Sequence, residues 1–202
     1  MPSLRRTESS QSISWRQYIS NGKELQDFLQ TDYYHQFQQL LNDDRLNAML
    51  NKYDYELVFY PHYEIQKFIS AFSVDSDRMK IGKLGEYDVQ QLLIESSILL
   101  TDYSSVYFDF AYMEKPVVYF QFDQNEYYAG HYQKGYFDCE RDGFGPVVTD
   151  RTSLLDALEN ILENSGKMDT VYFERCHQFF REIDDKNCER NYKEIIGLLE
   201  RK

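Results

Sequence analysis

The chain has 202 residues, of which 42% are hydrophobic and 28% are charged, and its net charge is −12. This length is enough for one full α/β domain. The acidic balance argues against a sequence-independent nucleic-acid binder, because phosphate contacts need clustered Lys and Arg. It does not favour adhesion to an anionic membrane surface either. No run approaches the roughly 20 apolar residues that span a membrane, and residues 1–12 lack the apolar core of a signal peptide.

The cysteines indicate a compartment. Cys139, Cys176 and Cys188 have no CxxC spacing, which is typical of reduced thiols rather than of a disulfide framework or a zinc site. The four histidines are scattered and form no metal-binding motif. We therefore expect a cytoplasmic protein that needs no bound metal.

In chain order, the first half of the sequence alternates between helical and β-rich segments. Residues 1–11 are polar and Ser-rich, and we expect them to be disordered or a linker remnant. The predicted elements that follow are a strand at 12–15, two helices within 25–53 joined near 42–44, a strand at 55–60, a helix at 64–72, a strand at 78–82 and a helix at 88–97 capped by Asp88.

The second half begins with an apolar run that ends in a polar cluster. The predicted elements are a strand at 98–100, the polar turn 101–105, a helix at 106–115 stopped by Pro116, a strand at 117–122, a helix at 153–164 capped by Thr152, and a helical pair at 171–202. The segment Asn125–Pro146 has no clean periodicity and is predicted to be a long loop, which in a compact domain is usually functional or mobile.

This alternation predicts the fold class. About five strands, each followed by a helix, are typical of an α/β domain with a doubly wound, mostly parallel, Rossmann-like sheet and right-handed crossovers. In such a sheet ligands bind at the carboxyl edge of the strands. The polar residues that follow predicted strands, and that we expect at this edge, are Arg16, His62, Thr101, Asp102, Ser104 and Ser105.

Each of these candidates has a functional and a purely structural interpretation. His62 can donate a hydrogen bond to phosphate or protonate a leaving oxygen, or it is a turn residue satisfied by the backbone. Ser104 and Ser105 can bind phosphate at a helix N-terminus, or they are simple helix caps. Asp109, one helical turn beyond Ser105, can brace the turn from a buried position, or it is a solvated carboxylate.

Several common catalytic motifs are absent from the sequence. It contains no GxGxxG dinucleotide motif and no GxxxxGK[ST] P-loop. Ser104 lacks the flanking glycines of a hydrolase nucleophile elbow. The strand-end residues are therefore the candidates for a binding site.

Four stretches give the sequence a resemblance to a known family. They are Ser14-Trp15-Arg16, Tyr60-Pro61-His62, the run LLTDYSSVYFDFAYMEKPVVYFQFD from Leu99 to Asp123, and GYFD at 135–138 together with Gly145-Pro146. Over about residues 12–195 the sequence resembles the CDP-glycerol glycerophosphotransferase family, the teichoic acid primases and polymerases of bacterial cell envelopes. The block TDYSS followed by Asp109 is the most specific part.

The resemblance implies a fold and a set of residue roles. Family members have a GT-B-like fold of two Rossmann-type domains, and residues 12–202 would be the second, donor-binding domain. His62 would contact the diphosphate of CDP-glycerol and assist the departure of CMP, while Ser104 and Ser105 cradle the phosphates. The other residues of the implied site are Arg16 and Thr101 at the phosphates, with Asp102 and Asp109 in support. No metal or cofactor is expected.

The resemblance also implies what the chain lacks. In the family the preceding Rossmann half contributes acceptor binding, membrane attachment and a further His as base, and residues 1–11 contain no equivalent. We expect a domain of a longer enzyme or a truncated reading frame, which alone binds donor weakly. Its partners would be the missing half and a polymeric or lipid-linked acceptor, and not nucleic acid. The full-length enzyme would act in the cytoplasm, at the inner face of the membrane, touching it only through the absent half.

Two other functions remain open from the sequence. A GT-B-like glycosyltransferase with another nucleotide donor would use the same strand-end residues, and only a base-contacting loop at Gly85-Glu86-Tyr87 would distinguish it. A non-catalytic nucleotide-binding module would fit the missing half, although the retained His62 and serine pair count against it.

Overall fold

The computed structural model of the chain describes residues 24–130 and 135–200, and within them five short strands alternate with helices. The strands are β1 (Leu57–Phe59), β2 (Met79–Ile81), β3 (Leu99–Thr101), β4 (Val117–Phe120) and β5 (Val147–Val148). The α-helices are α1 (Glu24–Leu29), α2 (Asp32–Leu41), α3 (Asp44–Tyr53), α4 (Val89–Glu95), α5 (Val106–Tyr112), α6 (Gln124–Gly130), α7 (Cys139–Asp142), α8 (Arg151–Glu163), α9 (Thr170–Phe179) and α10 (Asn187–Glu200). A 3-10 helix covers Gln66–Ala71.

The strand ladders of the described residues are parallel, as predicted. β1 pairs with β2, with Leu57 opposite Met79. β4 lies between β3 and β5, with Leu99 opposite Val117. These strands form two separate sheets of two and three strands, so the single sheet that the sequence predicts is divided in the described part of the chain.

The three-stranded sheet separates two hydrophobic clusters, because successive side chains of a strand point to opposite faces. Val118 and Phe120 of β4 join the larger cluster, together with residues of α1, α2, α3 and α8. Val117 and Tyr119 join the smaller cluster, together with residues of α5 and α9. All four side chains of β4 are buried. Helices therefore cover both faces of this sheet, which confirms the α/β class.

Aspartate residues cap the N-termini of two helices that the sequence predicts, α4 and α8. Asp88 accepts a hydrogen bond from the backbone amide of Gln91 at 2.9 Å and begins α4, as predicted. The cap of α8 is Asp150, and the prediction of Thr152 is wrong. The carboxylate of Asp150 accepts from both the amide (3.0 Å) and the hydroxyl (2.6 Å) of Ser153. The backbone of Asp150 is extended (φ −136°, ψ 161°) and the helix begins at Arg151, so Thr152 lies inside the first turn and not at the cap position.

The segment Asn125–Pro146 is not a continuous loop, contrary to the prediction. α6 covers its beginning and α7 lies near its end. Asp138 caps α7 by accepting from the amides of Glu140 and Arg141. A helix of one turn is too short to produce a visible hydrophobic period, and this is why the sequence pattern did not indicate it.

The other element predictions are mostly confirmed with shorter bounds. Residues 25–53 form three helices rather than the predicted two, because α1 ends at Leu29 and Thr31 caps α2; α2 and α3 meet near Asp43 as predicted. The predicted helix at 64–72 is a 3-10 helix over Gln66–Ala71. The predicted strand at 12–15 and the predicted disorder of residues 1–11 lie outside the described residues. In the part of the chain that the structure describes, no helix is both long and apolar enough to cross a membrane.

Candidate functional site

The carboxyl ends of the two sheets lie on the same side of the domain. The ring of Phe37 in α2 is 5.4 Å from that of Phe59, at the end of β1, and 6.1 Å from that of Phe122, just beyond β4 (centroid distances). Pro61, after β1, and Asp102, after β3, line one cavity. The loops that follow the strands therefore share one edge, called the carboxyl edge below, as the sequence predicts.

His62 lies at this edge, in the turn between β1 and the 3-10 helix. Its side chain is 28% exposed, and its ring is 4.2 Å from that of Tyr63. The Nδ1 atom accepts a hydrogen bond from the backbone amide of Glu64 at 3.4 Å and lies 3.4 Å from the Glu64 carboxylate. The backbone contact that the structural interpretation predicts is therefore present, but it occupies only one of the two ring nitrogens.

The contacts of Nδ1 decide what the other nitrogen can do. When Nδ1 of the neutral ring accepts from the Glu64 amide, the ring hydrogen is on Nε2. When the ring is an imidazolium paired with the Glu64 carboxylate, Nε2 again carries a hydrogen. Nε2 of His62 is a donor in these two states, and an anion is a suitable acceptor for it; in the neutral tautomer whose Nδ1–H faces the Glu64 carboxylate, Nε2 is an acceptor instead.

The turn after β3 is organised by Asp102. The side chain of Asp102 is buried, with 2% of the residue exposed, and its Oδ1 accepts from the amide of Ser104 at 3.3 Å. Ser105 occupies the N-cap position of α5, but its hydroxyl makes no capping hydrogen bond. The capping interpretation of the Ser105 side chain is therefore wrong. Ser105 is exposed at the carboxyl edge, where its hydroxyl can contact a ligand.

Thr101 and Asp109 flank this turn. Thr101 is the last residue of β3 and is half-buried. Asp109 is exposed on α5, because Phe108 and Phe110 pack against the smaller hydrophobic cluster and leave Asp109 on the outer face. Of its two interpretations, the structure excludes the buried one. The exposure of Asp109 agrees with the solvated interpretation.

The predicted base-contacting loop, Gly85-Glu86-Tyr87, connects β2 to α4 at the same edge. Gly85 has a φ of +86°, a conformation that glycine adopts readily. The carboxylate of Glu86 accepts from the amide of Lys83 at 3.2 Å, which closes the loop on itself. The ring of Tyr87 meets that of Tyr60 edge-on at 6.2 Å. The loop therefore lies beside the residues that follow β1.

Sequence reasoning missed Gln66, which joins two of these loops. Gln66 is buried, and its Nε2 donates to the carbonyls of Pro61 and Gly82, both at 3.2 Å. Its Oε1 accepts from the amide of Leu84 at 3.0 Å. One side chain thus fixes the residue before His62 and the start of the Gly85 loop. The sequence offers no signal for this role, because glutamine is common on exposed helices.

Gln121 was also missed, and it connects β4 to the turn after β3. Its side chain is fully buried, and its Nε2 donates to the carbonyl of Asp102 at 3.2 Å. A polar residue inside the predicted buried strand 117–122 was the one signal that the sequence contained. The side chain of Gln121 therefore holds the backbone from which Ser104 follows.

Tyrosines complete the carboxyl edge beyond β3 and β4. The hydroxyl of Tyr103 donates to the Asp123 carboxylate at 2.9 Å, and its ring stacks on that of Tyr127 at 3.6 Å between centroids. Burial, with the neighbouring Asp123 charge, raises the pKa of Tyr103 far above its ordinary value. Tyr103 therefore remains a neutral hydrogen-bond donor that ties the serine turn to the segment after β4.

Arg16, the remaining predicted site residue, lies outside the described residues. Within residues 24–130 and 135–200, no group of three or more His, Cys, Asp and Glu side chains is arranged to hold a metal ion. The structure thus brings the loops that carry His62, Gly85 and the serine turn to one edge.

Comparison with known proteins decides the family. The model of the CDP-glycerol:poly(glycerophosphate) glycerophosphotransferase family matches residues 14–197, which is most of the chain. The chain belongs to this family. The resemblance based on the strand-end residues is therefore confirmed.

Curated proteins of teichoic acid synthesis are similar to this chain. The minor teichoic acid biosynthesis protein GgaB of Bacillus subtilis (strain 168) is 34% identical over 173 residues, which cover 85% of this chain and 18% of GgaB. The teichoic acid glycerol-phosphate transferase of Staphylococcus aureus (strain NCTC 8325 / PS 47) is 30% identical over 127 residues, which cover 60% of this chain and 31% of that protein. The chain thus spans less than a third of these relatives.

Solved structures agree with the family assignment. The structure of the wall teichoic acid polymerase TagF matches with a TM-score of 0.59 and 25% identity, over 78% of this chain and 37% of that chain. A TagF variant soaked with CDPG matches with a TM-score of 0.58 and 25% identity, over 78% and 38% of the two chains. The α/β architecture of this domain is therefore also found in a wall teichoic acid polymerase.

Proposed function

We propose that this chain is the donor-binding domain of a CDP-glycerol:polymer glycerophosphotransferase that acts in the synthesis of teichoic acid or a related cell-surface polysaccharide. The observation that carries the proposal is the family match over residues 14–197, joined to a cavity that Pro61, just before His62, and Asp102, just before the serine turn, both line. The domain would be the C-terminal half of a GT-B-like enzyme, with residues 12–202 forming the donor-binding unit.

In the proposed reaction, an acceptor hydroxyl attacks the phosphorus that carries the glycerol. A new P–O bond forms to the acceptor oxygen as the P–O bond to CMP breaks, and the acceptor's proton passes to a base outside this chain. Catalysis of phosphoryl transfer depends on positioning and on neutralisation of charge. His62 would donate from Nε2 to the diphosphate and stabilise the departing CMP.

The serine turn would hold the same diphosphate. The hydroxyls of Ser104 and Ser105 can donate to phosphate oxygens, with Thr101 and Arg16 as further contacts. Asp102 would act indirectly, since its carboxylate orients the Ser104 amide. We assign Asp109 the least direct role, because it is exposed and lies a turn further along α5.

The partners and setting of the reaction are part of the same proposal. An N-terminal Rossmann half, or its equivalent, would supply acceptor binding, the base and membrane contact. The acceptor would be a polymer or a lipid-linked molecule, and the complete enzyme would work in the cytoplasm at the inner face of the membrane. Neither a metal nor another cofactor enters the proposed reaction, and the cytidine base would meet the Gly85-Glu86-Tyr87 loop.

Nucleotide titration tests the proposal. CMP, CDP-glycerol, UDP and UDP-glucose are titrated by calorimetry against the purified chain and against His62→Ala and Ser105→Ala. A charged hydrogen bond contributes about 1.5–3 kcal/mol, so we expect His62→Ala to weaken CDP-glycerol binding by on the order of tenfold or more. Ser105→Ala should weaken it several-fold.

Matched variants control for non-specific effects. His35→Ala removes an exposed histidine from α2, and Ser97→Ala removes an exposed serine just before β3, at the opposite end of the strand from Ser105. Both should bind like the unmodified chain. If no nucleotide binds, the donor-site proposal is wrong. If UDP binds more tightly than CMP, the domain belongs to an enzyme with a different donor.

A further inference from the structure

The Nδ1 side of the His62 ring is occupied by Glu64. Oε2 of Glu64 lies 3.4 Å from Nδ1, and the backbone amide of Glu64 donates to the same nitrogen, also at 3.4 Å. The Glu64 side chain is 16% exposed, less than the 28% of the His62 side chain that it contacts. Glu64 is therefore the more buried member of a histidine–carboxylate pair at the carboxyl edge.

The turn that carries both residues brings them together. The carbonyl of His62 accepts from the amides of Ile65 (2.8 Å) and Gln66 (3.2 Å), so the chain folds back immediately after His62. Ile65 and Gln66 are buried, and the side chain of Gln66 donates to the carbonyl of Pro61 at 3.2 Å. The backbone on both sides of the pair is therefore anchored in the interior, which keeps the Glu64 carboxylate near Nδ1.

Within the described part of the chain, His62 is the basic partner of Glu64. No Lys or Arg of these residues forms an ion pair with the Glu64 carboxylate, and Lys67, which follows on the 3-10 helix, pairs with Glu24 at 3.1 Å. A carboxylate that is largely removed from water needs a compensating charge or hydrogen bonds. The ring of His62 is placed to supply both when it is an imidazolium.

We propose that Glu64 is a positioning residue for His62: it holds Nδ1 away from the ligand and balances the charge of an imidazolium whose Nε2 hydrogen bonds to the donor diphosphate. This inference rests on the proposed function, since it takes His62 as the group that meets the diphosphate. Glu64 itself would not touch the donor, because like charges repel. It would act through the ring alone.

The three proton states of the His62 ring differ in how they suit an anion at Nε2. With the hydrogen on Nδ1 alone, Nε2 presents a lone pair, which repels a phosphate oxygen. With the hydrogen on Nε2 alone, Nδ1 presents its lone pair to the Glu64 carboxylate 3.4 Å away. The imidazolium places a hydrogen between the ring and each anion, and such charge-assisted bonds are stronger than neutral ones. The bond from the Glu64 amide that this state gives up is long, at 3.4 Å, and hence weak.

Glu64 also has a purely structural interpretation, in which only its backbone amide matters. That amide is present whatever the side chain is, so Glu64→Gln separates the two interpretations. Glutamine keeps the size of the side chain and removes its charge. Glu174→Gln is the matched control, since Glu174 is exposed on α9. The full chain is used for every measurement.

Nuclear magnetic resonance of the chain without nucleotide tests the pair itself. At about pH 5.5, below the ordinary titration range of histidine, most imidazole rings carry a hydrogen on both nitrogens. We expect the Nδ1–H of His62, assigned with His62→Ala, to exchange slowly enough with water to be observed, because Glu64 accepts it. The resonance should vanish in Glu64→Ala and remain in Glu174→Ala. Its absence from the unmodified chain, or its persistence in Glu64→Ala, would overturn the proposal.

Calorimetric titration with CDP-glycerol tests the effect of the pair on binding. We expect Glu64→Gln to weaken binding by about fivefold to tenfold when His62 is present, and to change nothing in the His62→Ala chain. Glu174→Gln should bind like the unmodified chain. Tighter binding by Glu64→Gln, no change, or an equal loss with and without His62 would each reject the proposal. Failure of the unmodified chain to bind any nucleotide would instead reject the proposed function, while the Nδ1–H resonance would still decide whether Glu64 holds the ring.

Discussion

The side-chain amide of Gln121 donates to the backbone carbonyl of Asp102 at 3.2 Å, in a part of the domain where Gln121 is fully buried. Asp102 in turn accepts from the amide of Ser104 at 3.3 Å. Two hydrogen bonds thus connect the end of β4 to the turn that carries the candidate phosphate ligands. The geometry of the serine turn depends on a residue that would not itself touch the donor.

Replacement of Gln121 tests this dependence. Gln121→Leu keeps the approximate volume but leaves the carbonyl of Asp102 without its side-chain donor, so we expect a loss of about 1–3 kcal/mol in the free energy of unfolding. Urea denaturation measures this loss. The matched variant Gln91→Leu changes an exposed glutamine of α4 and should be nearly neutral. Equal stability of the two variants would show that the buried amide contributes little.

Gln66 has the same kind of role on the other side of the carboxyl edge. Gln66→Met removes hydrogen bonds to Pro61, Gly82 and Leu84, and three bonds at about 1 kcal/mol each predict a destabilisation of about 2–4 kcal/mol. Amide exchange should increase selectively around residues 60–63 and 82–87. A uniform increase throughout the domain would instead indicate a general loss of packing.

The sequence predicted the features that depend on neighbouring residues and missed those that depend on tertiary contacts. Asp88 was predicted as a cap because capping is local, and the β-rich run at 117–122 was predicted because a buried strand has a characteristic composition. Gln66 and Gln121 were missed because their partners are brought together only by the tertiary fold. Thr152 was predicted as a cap that proved to be Asp150, because both residue types are good caps and only the backbone shows where the helix begins.

The candidate site was predicted in part for the same reason. His62 and Ser105 were identified because polar residues after parallel strands share an edge whatever the details of packing. The exposure of Asp109 depends on how α5 is rotated against the core. Because Phe108 and Phe110 flank Asp109 in the sequence, the pattern alone did not determine that rotation. The hydroxyl of Ser105, without a capping bond, likewise depends on backbone angles at one residue.

Two glycines predict opposite responses to the same substitution. A Cβ at Gly145 would overlap the backbone carbonyl of Val117 in β4, and backbone cannot move aside as a flexible side chain can. We expect Gly145→Ala to cost on the order of 3 kcal/mol or to prevent folding. At Gly197 in α10 a Cβ meets nothing within 4 Å, so Gly197→Ala should stabilise by up to about 1 kcal/mol. Thermal denaturation compares them.

The three cysteines predict an order of thiol labelling that reports on packing at both ends of the domain. Cys188 is exposed, Cys139 is half-buried and Cys176 is buried. Burial raises the pKa of Cys139 above its ordinary value and that of Cys176 to about 11, and only the thiolate reacts with iodoacetamide. Mass spectrometry of the native chain at pH 8 should therefore find Cys188 labelled first, Cys139 second and Cys176 last.

Since the Cys176 thiolate is a minor species below its pKa, its labelling should accelerate about tenfold for each pH unit while the fold persists. In strong denaturant all three should react at similar rates, and rapid labelling of Cys176 in the native chain would show that the packing of α9 against α5 and β4 is open in solution.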